Sequence, residues 1–395
     1  MKNMQINVII FKVLRVISLL LGLAPCKLFT EAIPSKKFRY AFKLSYSRLG
    51  CVYNISWIII FSGVIIAIVP KVAKDYDINY SKIIITIDLT MSAMGNAFVI
   101  ILTGIYCIYQ KQIVEIGNRL SEVDEQFQAD LFVFNKETFR NLHYSVVTMT
   151  FIIMWIISFV ICLVGWRFFI FFSIILPAAV LSCLLLQYSL IINILKERFR
   201  CLNEGLSAAV KYTIESPGVS SLERNITNNR SVIDNFALIR NMRHSVYKIA
   251  CDVADFYSFP VLLVIFNFCC NSITSIYFII INALHRKNSG CPDSMSDCFW
   301  IMMYSYPIVV LSESVKRFNK EVSKTTNVIY DIRQTNFVNK EILNDFALEL
   351  LHTKVAFTAF GFFSLDCTLL HSIFGMVVTY LIILLQFQPA DAATE

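Results

Sequence analysis

The chain has 395 residues, of which 56% are hydrophobic and only 16% charged, with a formal net charge of +7. That balance excludes a soluble globular domain of this length, and with 12 Gly and no glycine-rich phosphate loop a nucleotide site is not expected. What remains is a polytopic, all-α membrane protein with no nucleic-acid partner and no cofactor.

Residues 1–50 come first and carry nine Lys and Arg side chains against a single acid, Glu31. Within them, 8–23 is apolar but interrupted by Lys12 and Arg15, and no small-residue cleavage site follows. An amphipathic helix lying in the membrane interface fits better than a signal peptide. Seven stretches then have the length and apolarity to cross about 30 Å of hydrocarbon. They are 51–69, 83–109, 146–164, 168–195, 252–284, 298–311 and 362–387. The third and fourth nearly touch and read as a hairpin, and the short sixth is expected to continue as helix through the polar 313–325 region. Pro177, Pro260 and Pro307 interrupt spans four, five and six, where each is expected to kink its helix. The resulting division is a cytoplasmic arm at 1–50, helices one to four at 51–195, a cytoplasmic loop with helices at 196–251, helices five and six at 252–311, a cytoplasmic segment at 312–361, the last helix at 362–387 and an extracellular tail at 388–395.

The basic arm just before the first span places the N-terminus in the cytoplasm. The tail after Phe387 has no basic residue and two acids, Asp391 and Glu395, which places the C-terminus outside. That orientation is opposite to a G-protein-coupled receptor, and no Asp-Arg-Tyr follows span three. It also puts the Asn225-Ile226-Thr227 and Asn229-Arg230-Ser231 sequons in the cytoplasm, where neither is glycosylated.

The last helix carries the most specific pattern. Thr379-Tyr380 stands seven residues before Gln386-Phe387, with five apolar residues between, and Ser372 and Thr368 continue the polar stripe at helical spacing. In hydrocarbon such groups line something wet, bond across a helix contact, or bond to their own backbone.

This terminal motif resembles the signature of the insect gustatory receptors, as do Gly361-Phe362-Phe363-Ser364-Leu365-Asp366 and Leu369-Leu370-His371-Ser372-Ile373-Phe374-Gly375 upstream. Length, seven spans, inverted orientation and the long six–seven segment match as well. The resemblance implies a ligand-gated, non-selective cation channel in the plasma membrane of sensory neurons. It would be a homotetramer, or an assembly with related gustatory subunits, embedded in membrane lipid, with one ligand pocket per subunit around a central pore. The inner ends of helices four to six and the six–seven segment, here 195–204, 235–250 and 316–354, would form the anchor between subunits. Gln386 and Phe387 would form the gate, an apolar ring closing the pore by dewetting, with Thr379, Tyr380, Ser372 and Thr368 supporting the pore helix. Tyr380 is expected to brace through its hydroxyl on a neighbouring span. Asp366, near the inner end, would attract cations, cap the helix or pair with a base of the anchor, and a structural role, cap or pair, is preferred.

A pocket for a small-molecule tastant needs aromatic walls and a few fixed polar groups. Ser275, Tyr277, Asp297, Trp300 and Tyr304, at the outer ends of spans five and six, supply them, and Asp88 in span two is a further buried polar candidate. Tyr277 and Trp300 equally suit an interfacial aromatic belt. Sugar-sensing members resemble this arrangement, but Ser275 and Asp297 stand where those members have Thr and Gln, so a bitter plant compound is favoured over a sugar or polyol. A metabotropic seven-helix receptor is the remaining alternative. Cys291 and Cys298 flank the loop between spans five and six, as a disulfide or as free thiols. The five His are scattered without metal-ligand spacing, and no nucleophile and base stand at usable spacing, so neither a metal site nor an enzyme is expected.

Overall fold

A computed structural model describes residues 16–32, 40–75, 82–130, 149–158, 160, 171–215, 221–284, 292–334 and 340–386. Within them an antiparallel hairpin, β1 (Cys26–Ala32) and β2 (Tyr40–Tyr46), precedes α1 (Arg48–Asp75), α2 (Lys82–Ile108) and α3 (Gln110–Asp130). A short apolar helix, α4 (Met149–Ser158), follows. Next come a π turn at Phe171–Ile175, α5 (Leu176–Glu215), α6 (Ser221–Leu284), α7 (Pro292–Gln334) and α8 (Lys340–His352). A small hairpin, β3 (Thr358–Ala359) and β4 (Phe363–Ser364), leads into α9 (Cys367–Gln386).

Six of these helices are long and apolar enough to cross a membrane. α4 lies where the third span was expected; its ten described residues are too few to cross, and the expected flanks fall outside the described residues. Of the interfacial helix expected over 8–23, residues 8–15 lie outside the described residues. Helix is described only at 16–20, and Gly22 turns the chain with φ 78° into the hairpin, so the all-α expectation gives way locally to β structure. A side chain at 22 would meet both that φ and the Asn54 Oδ1, 2.9 Å from where its Cβ would stand.

α5, α6 and α7 run 40, 64 and 43 residues. At 1.5 Å per residue they reach about 60, 95 and 65 Å, far more than the bilayer requires. Each therefore crosses and continues as a polar helix, and the expected continuation of the sixth span through 313–325 is part of unbroken α7. Pro260 and Pro307 lie inside α6 and α7 as expected. Pro177 instead sits in the first turn of α5, directly after the π turn. Lacking an N–H, it offers no donor to the Ser173 carbonyl four residues back, and α2 supplies two: Ser92 Oγ donates to that oxygen at 3.1 Å and Asn96 Nδ2 at 2.9 Å.

The three long helices pack on one another, α2 packs against α1 and α6, and α8 lies on α7. Their interior is strongly aromatic. Tyr188 of α5 stacks on Tyr257 of α6 with ring centroids 4.4 Å apart. Phe357, from the segment before β3, reaches Tyr188 at 6.2 Å and Phe318 of α7 at 5.0 Å, and Phe318 meets Phe199 at 5.3 Å. Polar groups in this interior bond between helices: Ser189 to Ser314 at 2.6 Å, Asn193 to Ser314 at 3.0 Å, and Asn203 to the Glu321 carbonyl at 3.0 Å while accepting from Thr325 at 2.7 Å. Beyond the bundle α3 is tied in by ion pairs, Arg119 to Asp252 at 2.6 Å and Arg198 to Asp124 at 2.5 Å. Burial holds the Asp124 carboxyl above the usual carboxylate range despite Arg198.

Candidate functional site

The last helix begins later than the sequence suggested. Residues 362–366 do not join it, because Phe360 and Gly361 take positive φ values of 52° and 76° and fold the chain into the β3–β4 hairpin. Non-glycine residues rarely adopt that conformation, and Phe360 is held in it by its own N–H donating to Ser258 Oγ of α6 at 2.8 Å and by ring contact with Phe259 at 5.7 Å. Asp366 then caps α9: its Oδ1 accepts from the Thr368 N–H at 2.8 Å and from the Thr368 hydroxyl at 2.5 Å. The Thr368 hydroxyl, then its amide, hold the Asp366 carboxyl below its ordinary value. The acid at the foot of the helix is committed to the helix start.

α9 packs on α6 and α7 through one side only. Leu369 and Val377 are buried, with Leu370, Ile373 and Met376 half-buried beside them. At about 100° per residue, Thr368, Thr379 and Gln386 fall within about 20° of one another and about 180° from Val377. All three are exposed, as is Ser372 close by. The polar stripe thus points directly away from the body of its own chain. Its hydroxyls are nonetheless bonded, Ser372 to the Thr368 carbonyl at 3.2 Å and Thr379 to the Gly375 carbonyl at 2.9 Å. Back-bonding of this kind lets a hydroxyl face lipid, a neighbour or water with little penalty. Tyr380 lies about 100° around the helix from Thr379; it is 53% exposed and makes no hydrogen bond among the described residues. Phe387 lies outside the described residues.

Of the expected ligand residues, the structure brings Trp300 and Tyr304 together. Their rings stack at 5.8 Å, and Tyr304, almost fully buried, also meets Phe268 of α6 at 5.5 Å. Tyr277 is buried against Phe278, and Ser275 is half-buried. Asp297 lies in α7 and Asp88 in α2, but their side chains are outside the described residues, as is Cys291; Cys298 is exposed. The sequence reading missed two groups. Asn96 and Asn267 are buried in the bundle, each with a side-chain oxygen that has no hydrogen-bond partner among the described residues. Their isolated position in apolar runs was the available signal, since an amide at membrane depth needs a reason.

A family model described as the 7tm chemosensory receptor matches residues 11–391. The chain belongs to the 7tm chemosensory receptor family. Among curated relatives, gustatory and pheromone receptor 32a of Drosophila melanogaster is 28% identical over 138 residues, which are 32% of this chain and 30% of that relative. Putative gustatory receptor 28b of the same organism is 37% identical over 89 residues, covering 22% of this chain and 19% of the relative. The chain thus matches less than a third of the length of either. Among solved structures, the insect olfactory receptor OR5 of Machilis hrabei superposes with a TM-score of 0.58 at 12% identity, covering 97% of this chain and 100% of that one. The same receptor in complex with eugenol gives 0.56 at 13% identity. At such identity the likeness establishes a shared fold. This chemosensory receptor is accordingly a multi-pass membrane protein with the architecture of an insect olfactory receptor.

Proposed function

We propose that this chemosensory receptor is a tastant-gated, non-selective cation channel whose pore is lined by α9, in a homotetramer or together with related subunits. The observation that carries the reading is the orientation of the Thr368–Thr379–Gln386 stripe. The hydroxyls satisfy themselves, but the Gln386 amide on the same side makes no hydrogen bond among the described residues, and symmetric copies around an axis would turn such stripes toward one another across water. No acid or base lies on the stripe, which suits weak discrimination among cations. Gln386 and Phe387, at the end that the charge pattern places outside, form the constriction. Thr379 shares the side of Gln386, so it lines the pore below the gate, whereas Tyr380 supports the helix from its flank.

The tastant binds in the outer half of the bundle, against the Trp300–Tyr304 pair with Tyr277 and Ser275 beside it. Asp297 and Asp88 are the polar contributors from the sequence. A bitter plant compound is the favoured ligand, in keeping with a receptor of the same fold that accommodates the small aromatic eugenol. The stacked aromatic pair also suits a sugar or polyol ring, which is the second reading. Patch-clamp recording from cells expressing the chain alone tests the mechanism: tastant-evoked current is expected to persist when G-protein signalling is blocked, and its disappearance under that block would overturn the channel reading.

A further inference from the structure

The N-terminal arm has no part in pore or pocket, yet it is firmly built. Asn118 of α3 clasps Leu44 of β2 from both sides, its Oδ1 accepting from the Leu44 N–H at 2.7 Å and its Nδ2 donating to the Leu44 carbonyl at 3.1 Å. The Gln110 side-chain amide donates to the Pro25 carbonyl. From α1, Tyr53 Oη donates to the Leu20 carbonyl at 2.5 Å and Asn54 Nδ2 to the Gly22 carbonyl at 2.8 Å. Loose termini are the usual expectation, so an arm fastened at four points presents its outer surface in a fixed position.

That surface is mixed in a definite way. The register sets Lys43 opposite Phe29 and Lys27 opposite Ser45, so both lysines lie on one face of the hairpin. Leu44, on the other face, lies against Gly117 of α3. The lysine face therefore looks away from α3, and Lys27, Lys43 and Arg48 are all exposed. Apolar side chains of the same arm and of the first turns of the span are also uncovered: Val16 and Leu20 from the short helix, 53% and 59% exposed, and Leu49 and Val52 from the start of α1, 72% and 63% exposed. The first membrane span begins at Arg48, two residues after β2 ends. Lys43 and Ser45, the residue opposite Lys27, stand five and three residues before that start.

We propose that this arm is a docking surface for the anionic headgroups of the leaflet from which α1 departs. The lysines and Arg48 take the phosphate and carboxylate groups of lipids such as phosphatidylserine, and the apolar collar enters the acyl boundary below. The charge of the whole arm agrees, with nine basic residues against one acid in residues 1–50. A freely diffusing phosphate shares the headgroup's chemistry but has no use for the apolar collar, so the occupant is lipid.

The test is hydrogen exchange at residues 26–46 in the full-length receptor, in nanodiscs of phosphatidylcholine alone or with phosphatidylserine added. Exchange is expected to slow several-fold in the anionic discs and to recover at high salt. Each basic residue near an anionic surface is worth roughly a five-fold change in affinity. The paired variant K27Q/K43Q is therefore expected to cut phosphatidylserine retention by roughly 25-fold and abolish the protection, while K27R/K43R keeps both. Unchanged exchange in α3 shows that the variants are folded. Equal exchange in the two lipids would overturn the proposal, and so would protection in neutral discs on adding inorganic phosphate, since that marks a free-anion site.

Discussion

Two regions of this receptor handle the same problem, polar groups on otherwise apolar helices, in opposite ways. Between α5 and α7, Ser189, Asn193 and Asn203 are buried and bonded to Ser314, Glu321 and Thr325 of the facing helix. On α9, Ser372 and Thr379 are exposed and bonded to carbonyls of their own helix. A polar residue that needs the opposite helix locks a packing arrangement. One that satisfies itself leaves its helix free to meet water or to move. The difference separates the fixed base of the molecule from the part proposed to gate.

The sharpest break of this contrast is Asn203→Leu. It strands the Thr325 hydroxyl and a Glu321 carboxylate oxygen that Asn203 reaches at 3.3 Å, and each buried orphan costs about 1–3 kcal/mol. A loss of about 3 kcal/mol is expected, read as a lowered midpoint in thermal unfolding of the purified receptor. A smaller effect is expected at the foot of α9, where Asp366→Ala removes an N-cap worth about 1 kcal/mol. The pH dependence carries a sign. Because the folded carboxyl titrates below its ordinary value, its contribution is present above that ordinary range and is lost as pH falls through the depressed pKa. With the intrinsic pH dependence of exchange divided out, protection of the first α9 amides should fall at acid pH in the wild type and lack that acid-side change in Asp366→Ala. The smallest stability effect belongs to Thr379→Val, which removes a hydroxyl bonded, among the described residues, only to its own helix backbone. Its stability change should stay under about 0.5 kcal/mol, while single-channel conductance changes.

Much of this was legible before the structure. Apolar run lengths located six of the seven expected spans among the described residues, and the seven-residue interval from Thr379 to Gln386 gave the stripe. The helical continuation past 311 was readable because Phe318, Val322 and Ile329 keep the spacing of a packed face. The start of α9 was only half readable, since Asp366 offered a cap while Phe362, Phe363 and Leu365 carry the apolar run on through it. What ends the extended run there is a pair of positive φ angles held by Ser258, a residue over a hundred positions away in sequence. The N-terminal hairpin was hidden for a similar reason, because its strands are short and mixed and its fastening comes from Gln110 and Asn118 of α3. Which way the stripe faced was also invisible. Periodicity puts residues on one side of a helix, and only the packed positions of Leu369 and Val377 say that this side is the outer one.

Cysteine accessibility along α9 tests the pore most directly. In channels opened by ligand, a charged thiol reagent applied to Thr379→Cys or Gln386→Cys should block current, relative to the unsubstituted receptor, while Leu370→Cys and Val377→Cys stay silent. Block at Val377→Cys with silence at Thr379→Cys and Gln386→Cys would contradict the pore assignment and make the stripe a helix contact.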